Sequence, residues 1–138
     1  MAAEQVEFEL VSPEQLVLSE GVQMVVMPGA DGDFGVLPRH APLISSLRTG
    51  VIAVYRQNRR EVSERIFIDG GFAEVTPERC TVLAERAVPV SRIDRAQTEQ
   101  ALRDAREDLK DAASAADRDA AARQIARLEA MLAAVQAG

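Results

Sequence analysis

The chain has 138 residues, with 16 basic against 22 acidic side chains and a formal net charge of −6. That length holds one ordinary domain, or a compact domain with a small appendage, and 47% hydrophobic with 28% charged residues is the balance of a folded globular chain. The acidic excess argues against a nucleic-acid footprint, which needs a basic face to displace counterions from phosphate. A single cysteine rules out an internal disulfide framework.

From the N-terminus, Met1 to Leu10 carries neither a basic nor an apolar leader segment, so no secretion signal is expected. Val6, Phe8 and Leu10 alternate with Glu7 and Glu9, as a strand with one wet face requires. Further strands are expected at 16–18, 22–27, 51–55, 61–68, 72–75 and 81–84. Turn chemistry separates them: Ser12-Pro13-Glu14, Pro28 to Gly32, Thr49-Gly50, Asn58, Gly70-Gly71 and Thr76-Pro77-Glu78. The longest uncharged run, Gly21 to Ala30, is well short of the ~18 apolar residues a membrane span needs. Many short strands at this spacing point to a sandwich or barrel.

Near Val90 the composition changes. All six prolines and seven of the eight glycines precede it; the rest of the chain has no proline and one terminal glycine. Proline and glycine punctuate strands and are excluded from helix interiors. Leu102, Ala105, Leu109 and Ala112 recur at helical spacing, as do Ala121, Ile125, Leu128, Leu132 and Val135. Ser91, three residues before Asp94, and Ser114, three before Asp117, are the expected caps. The fold class is therefore α+β by segregation: an antiparallel β-sandwich over residues 1–90, then an antiparallel helical hairpin over 91–138. The hairpin's stripes are narrow and alanine-rich, so it buries little and needs support from elsewhere.

Little here speaks of catalysis. His40 is the only histidine, so no histidine pair exists, and no serine or cysteine sits in a nucleophile motif. A structural or interface role suits it better. Cys80 lies in an alternating stretch and reads as a small core residue. The glycines of Gly29 to Gly35 lack the lysine and Ser/Thr of a phosphate loop and precede Leu37-Pro38, where no helix begins. Asp31 and Asp33 lack the ligand series of a calcium loop. Arg59 and Arg60 read as a solvated hairpin tip. No metal site is expected.

Pro28-Gly29-Ala30-Asp31-Gly32-Asp33-Phe34-Gly35-Val36-Leu37-Pro38-Arg39-His40-Ala41-Pro42-Leu43 resembles the signature segment of the epsilon subunits of F-type ATP synthases, called delta in mitochondria. Phe8 to Glu14, Gly50-Val51, Phe67 to Val75, Val82 to Ala87 and Ile93-Asp94 extend the resemblance, in order, over essentially the whole chain. It implies a non-catalytic rotor subunit, peripheral on the cytoplasmic face of the bacterial inner membrane. Its sandwich would bind the gamma subunit of the central stalk and sit on the ring of membrane c subunits, helping to couple proton flow to ATP synthesis. Asp31, Gly32 and Asp33 are implied to face the ring; His40, Pro42 and Leu43 are implied to lie at the gamma contact.

In some family members the hairpin inhibits ATP hydrolysis or binds ATP. The nucleotide motif, Ile/Leu-Asp-x-x-Arg-Ala, is incomplete here, because Ile93-Asp94 is followed by Arg95-Ala96-Gln97-Thr98. Asp94, Arg123 and Arg127 are the positions left for a nucleotide, and ATP is disfavoured as a cofactor. Arg103, Arg106, Lys110, Arg118 and Arg123 are implied as docking residues for the alpha/beta catalytic subunits. Eight basic against nine acidic residues in the hairpin weaken that implication. The alternative from another class is a free-standing ligand-binding β-domain with a helical dimerisation tail, which requires a pocket with converging polar groups.

Overall fold

The computed structural model describes residues 4–13 and 15–137. The leader reading at Met1–Ala3 and the turn residue Glu14 lie outside the described residues. Ten strands come first: β1 (Val6–Ser12), β2 (Gln15–Val22), β3 (Met24–Gly29), β4 (Gly32–Val36), β5 (Leu43–Leu47), β6 (Gly50–Tyr55), β7 (Glu64–Ile68), β8 (Gly71–Val75), β9 (Arg79–Ala84) and β10 (Ala87–Pro89). A 3-10 turn (Val90–Arg92) precedes two helices, α1 (Arg95–Asp111) and α2 (Ala115–Ala137). The chain divides into two compact units at the Pro89–Val90 junction.

The strands follow the order β10-β7-β6-β3-β5-β8-β9-β1-β2, with β4 paired to the other edge of β3. The ladder narrows to a single pair, Gly29 with Leu47, where β3 meets β5. There it folds over into two layers whose inner faces supply one core. Phe8 and Leu10, Val25 and Met27, Ile52 and Val54, Ile66 and Ile68, Ala73 and Val75, and Cys80 and Val82 are all buried in it at alternate positions. Burying such side chains contributes about 1.5–3 kcal/mol for each large one. Pairing is antiparallel throughout the ladder except once: β1 runs parallel to β9.

Several boundaries differ from the periodicity. The apolar run 22–27 is two strands, because Val22 still pairs with Val6 on β1 whereas Met24 already pairs with Tyr55 on β6. Gln23 marks the switch of partner, its N–H donating to the Tyr55 carbonyl at 2.7 Å. The run expected from residue 61 begins pairing only at Glu64. β4, β5 and β10 were not expected. β4 is rich in glycine and aspartate, which are depleted in strands. β5 reads Leu-Ile-Ser-Ser-Leu, with no clean alternation, because its outward Ile44 is apolar. Gly70-Gly71 is a close backbone approach as well as a turn: a Cβ on Gly71 (φ 145°) would lie 2.1 Å from the Leu83 carbonyl oxygen.

In the helical unit, Leu102, Ala105 and Leu128 form a small core with Ala101, Ile125, Met131 and Leu132 packed against it. The α1 cap is Asp94 itself, whose carboxylate accepts the Gln97 N–H at 3.0 Å. Ser91 falls in the preceding 3-10 turn and is not the cap. Ser114 does cap α2, its Oγ accepting the Asp117 N–H at 3.0 Å. Leu109, expected in the stripe, is exposed; Ala105, Asp108 and Ala112 line the groove facing α2 at this end instead.

Candidate partner-docking surfaces

The β3–β4 hairpin turns at Ala30-Asp31, with Gly29 and Gly32 paired beneath. Gly32 takes φ 139°, a conformation favouring glycine. A Cβ on Gly29 would stand 2.6 Å from the Gly32 carbonyl oxygen, so the turn closes this tightly only with glycine. Ser46 on β5 and Arg48 just past its end hold it from the side. Ala30 N–H donates to the Ser46 carbonyl at 2.9 Å, and Arg48 N–H to the Pro28 carbonyl at 2.9 Å. Arg48 then reaches across with its guanidinium, Nη1 donating to the Gly29 carbonyl and Nη2 to the Asp33 carboxylate, each at 2.5 Å. Of the turn's two carboxylates, Asp33 is thus engaged within the chain. Asp31 is exposed at the tip and has no partner among the described residues.

His40 lies at the opposite end of the sandwich, since β4 and β8 both run away from the Asp31 end toward it. The segment is fixed by backbone contacts. Arg39, at φ 67°, donates its N–H to the Pro77 carbonyl at 2.7 Å, and His40 N–H donates to the Leu37 carbonyl at 3.2 Å. His40 Nδ1 donates to the Ala41 carbonyl at 2.6 Å, which fixes the orientation of the ring. Pro42 and Leu43 are exposed and lead directly into β5.

Between these ends lies a surface that the sequence did not reveal. On the outer face of the β5-β8-β9-β1-β2 layer, cross-strand pairing sets Ser46, Phe72, Leu83, Val11 and Leu16 in one row. Phe72 is 59% exposed, Leu83 56% and Leu16 59%. Ile44, 75% exposed, stands in the next row opposite Glu74. A groove of about 620 Å³ runs along the row between Val11, Ser46, Gly71, Phe72 and Leu83. Its lining is chiefly apolar, without the converging polar groups of a small-ligand site. A contiguous exposed apolar patch of this kind is the usual mark of a protein–protein contact. Periodicity assigns each residue to a face of its own strand; it does not say which strands are neighbours, so four scattered apolar residues gave no signal.

Asp94, the α1 cap, lies near the start of the hairpin, whereas Arg123 is exposed on α2 near the α1–α2 loop. The Arg106–Glu129 approach (3.9 Å) and the Leu102–Leu128 core set the register. At 1.5 Å per residue this leaves Asp94 roughly 20 Å from Arg123. Arg127 is half-buried and already engaged within the chain. These three positions do not converge. Cys80 is fully buried, its sulfur 3.9 Å from that of Met27, and burial pushes its thiol up to about 12. Among the described residues no three His, Cys, Asp or Glu side chains converge as a metal site would require. No helix is long and apolar enough to cross a membrane.

A two-layer sandwich with an uncovered apolar row, followed by a thinly packed helical hairpin, is the architecture of an assembly subunit. The family described as ATP synthase, Delta/Epsilon chain, beta-sandwich domain matches residues 5–90. An ATP synthase epsilon chain of Rhodospirillum rubrum is 53% identical over 96% of this chain and 97% of its own length. That of Rhodospirillum centenum is 52% identical over 94% and 91%. The chain belongs to the ATP synthase delta/epsilon family. The fold also resembles a chain in the Euglena gracilis mitochondrial ATP synthase, with TM-score 0.80 and 24% identity over 96% of this chain and 82% of that one. A chain from the Tetrahymena thermophila mitochondrial ATP synthase central stalk and c-ring gives 0.68 at 14% identity, over 98% and 99%.

Proposed function

We propose that this chain is a non-catalytic rotor subunit of a proton-translocating F-type ATP synthase, joining the membrane ring to the stalk beneath the catalytic head. The observation that carries this reading is the row Phe72, Leu83 and Leu16, all exposed, with half-buried Val11 between them and Ile44 beside it, an apolar face that a stalk protein would cover. The gamma subunit docks there, and His40, Pro42 and Leu43 extend the contact along β5. The Asp31 turn meets basic loops of the c ring, where such charges set register and partner choice more than raw affinity. The chain works at the cytoplasmic face of the bacterial inner membrane and without a cofactor. ATP is not a ligand of the hairpin, given the incomplete motif and the separation of Asp94 from Arg123 and Arg127. The hairpin is a regulatory arm, its exposed basic residues meeting the alpha/beta subunits.

The test is titration of the chain into an ATP synthase catalytic head lacking its own epsilon subunit, with binding and hydrolysis read together. Tight one-to-one binding with hydrolysis suppressed is the expected result. Tight binding with hydrolysis unchanged keeps the stalk role and removes the inhibitory one. Failure to bind any gamma-containing head overturns the proposal.

A further inference from the structure

We propose that Arg48 is a positioning residue that decides which carboxylate of the β3–β4 turn docks. It pins the turn to β5 and withdraws Asp33 from the docking charge, leaving Asp31 to meet a basic partner loop. This deepens the reading given above, on which the turn faces the c ring.

Arg48 makes three contacts with the turn's hairpin. Its backbone N–H donates to the Pro28 carbonyl, and its guanidinium spans the Gly29 carbonyl and the Asp33 carboxylate in one fork. A lysine's point charge does not reproduce that planar geometry. The carbonyl contact matters most to the positioning, because it holds the hairpin's backbone, and Ser46, two residues earlier on β5, holds Ala30. Electrostatically, the turn carries Asp31 and Asp33 against Arg48, a net charge of −1 concentrated at the Asp31 tip. Removing Arg48 frees Asp33 and doubles the negative charge offered to a partner. Ser46 also lines the apolar groove, so Ser46, Leu47 and Arg48 tie the turn to the strand that borders that surface. A turn held on this strand is pre-organised for docking and loses less freedom on binding.

The experiment uses the full chain and its D31N, R48M, D31N/R48M and R48K variants. Each is titrated into the purified c-ring with gamma bound, across a range of salt concentrations. D31N is expected to weaken binding about threefold and to flatten its salt dependence. D31N/R48M is expected to bind about threefold more tightly than D31N alone, the charge of the released Asp33 outweighing the loss of side-chain pinning while the Arg48 and Ala30 backbone bonds still hold the turn. A purely structural Arg48 gives the opposite sign, with the double variant weaker than D31N, and that result overturns the assignment. R48K should retain some Asp33 pairing and fall between the parent and R48M; a lysine variant that behaves as R48M counts against selection by charge. A second readout needs no ring: hydrogen exchange at the Ala30 amide should quicken in R48M while the β1 amides stay protected. Unchanged Ala30 exchange overturns the pinning. If the unmodified chain does not bind the ring at all, the docking reading falls and the selection role with it. That outcome is distinct from a parent that binds normally while the variants show the wrong sign.

Discussion

Phe72→Ala separates a docking face from a core. Phe72 is 59% exposed, on the outer side of β8 between Ser46 and Leu83. An aromatic side chain presents about 200 Å² in all, so roughly 120 Å² of Phe72 is still in water and available to a partner. At about 25 cal/mol per Å², covering that area contributes about 3 kcal/mol; truncation to alanine, which keeps some contact, should cost about 2–3 kcal/mol of binding. The dissociation constant for a gamma-containing catalytic head should then rise about 30- to 150-fold. In the free chain the same change removes mostly solvated surface, so unfolding free energy should shift by less than about 1 kcal/mol. Calorimetric titration and urea unfolding of the same two proteins measure both quantities. Loss of stability equal to the loss of affinity, or a dissociation constant within about threefold of the parent, would refute the assignment of this face.

Gly71→Ala should destabilise the sandwich by more than about 3 kcal/mol, because the new Cβ meets the Leu83 carbonyl oxygen and the backbone sits at positive φ; denaturant midpoints report it. Cys80 gives a pH dependence of definite sign. Burial raises the folded thiol to about 12, so above the unfolded value near pH 9 the unfolded chain loses a proton that the folded chain keeps. Stability from this group is therefore full below pH 9 and lost toward pH 12, by about 1.4 kcal/mol at pH 10. Urea unfolding should show the loss in the parent and not in Cys80→Ala. Ser114→Ala should lower the helical content and midpoint of the hairpin by about 1 kcal/mol, read by circular dichroism, while Ser91→Ala should do nothing measurable. Arg56 bridges Glu20 and Glu64 between β2 and β7, and its pairing with Glu64, then Glu20, raises its pKa against a lowering by burial, so it stays charged throughout the stability range of the fold. Arg56→Met should destabilise by about 1–3 kcal/mol at neutral pH, because two half-buried carboxylates are left facing each other.

The core was legible because burial imposes a period on each strand. Phe8 with Leu10 and Ala73 with Val75 alternate cleanly, and the inward positions they occupy are those the pattern assigns. What the pattern missed follows from its own logic. β4 is built of glycine and aspartate because it must turn tightly and leave charge at its tip, and that is turn composition. β5 breaks alternation at Ile44, where an outward residue is apolar. The parallel β1–β9 pair joins segments some seventy residues apart, and nothing local encodes it. The signature segment drew attention to Asp31, Asp33 and His40, yet not to Arg48, which neutralises one of them from fifteen residues away. It also left the Phe72–Leu83 row unseen, since adjacency across strands is a property of topology.

The two units fall short of self-sufficiency in different ways. The sandwich is closed inside, with large side chains such as Phe8, Leu10, Met27 and Ile52 almost wholly removed from water, and what it lacks is cover for an outer row. A rigid body with one uncovered face suits permanent docking, because little conformational freedom remains to be lost on binding. The hairpin has no comparable interior. Its buried core is Leu102, Ala105 and Leu128, and much of its remaining stripe is half-exposed alanine and leucine. Helices of 17 and 23 residues joined by so small a core draw on tertiary burial that they hardly possess. Their free energy of opening must lie at the low end of the molecule, where alternative packings compete on nearly equal terms. A segment so balanced responds to whichever partner surface offers additional burial, which is the physical basis for proposing the hairpin as the regulatory arm and the sandwich as the fixed attachment.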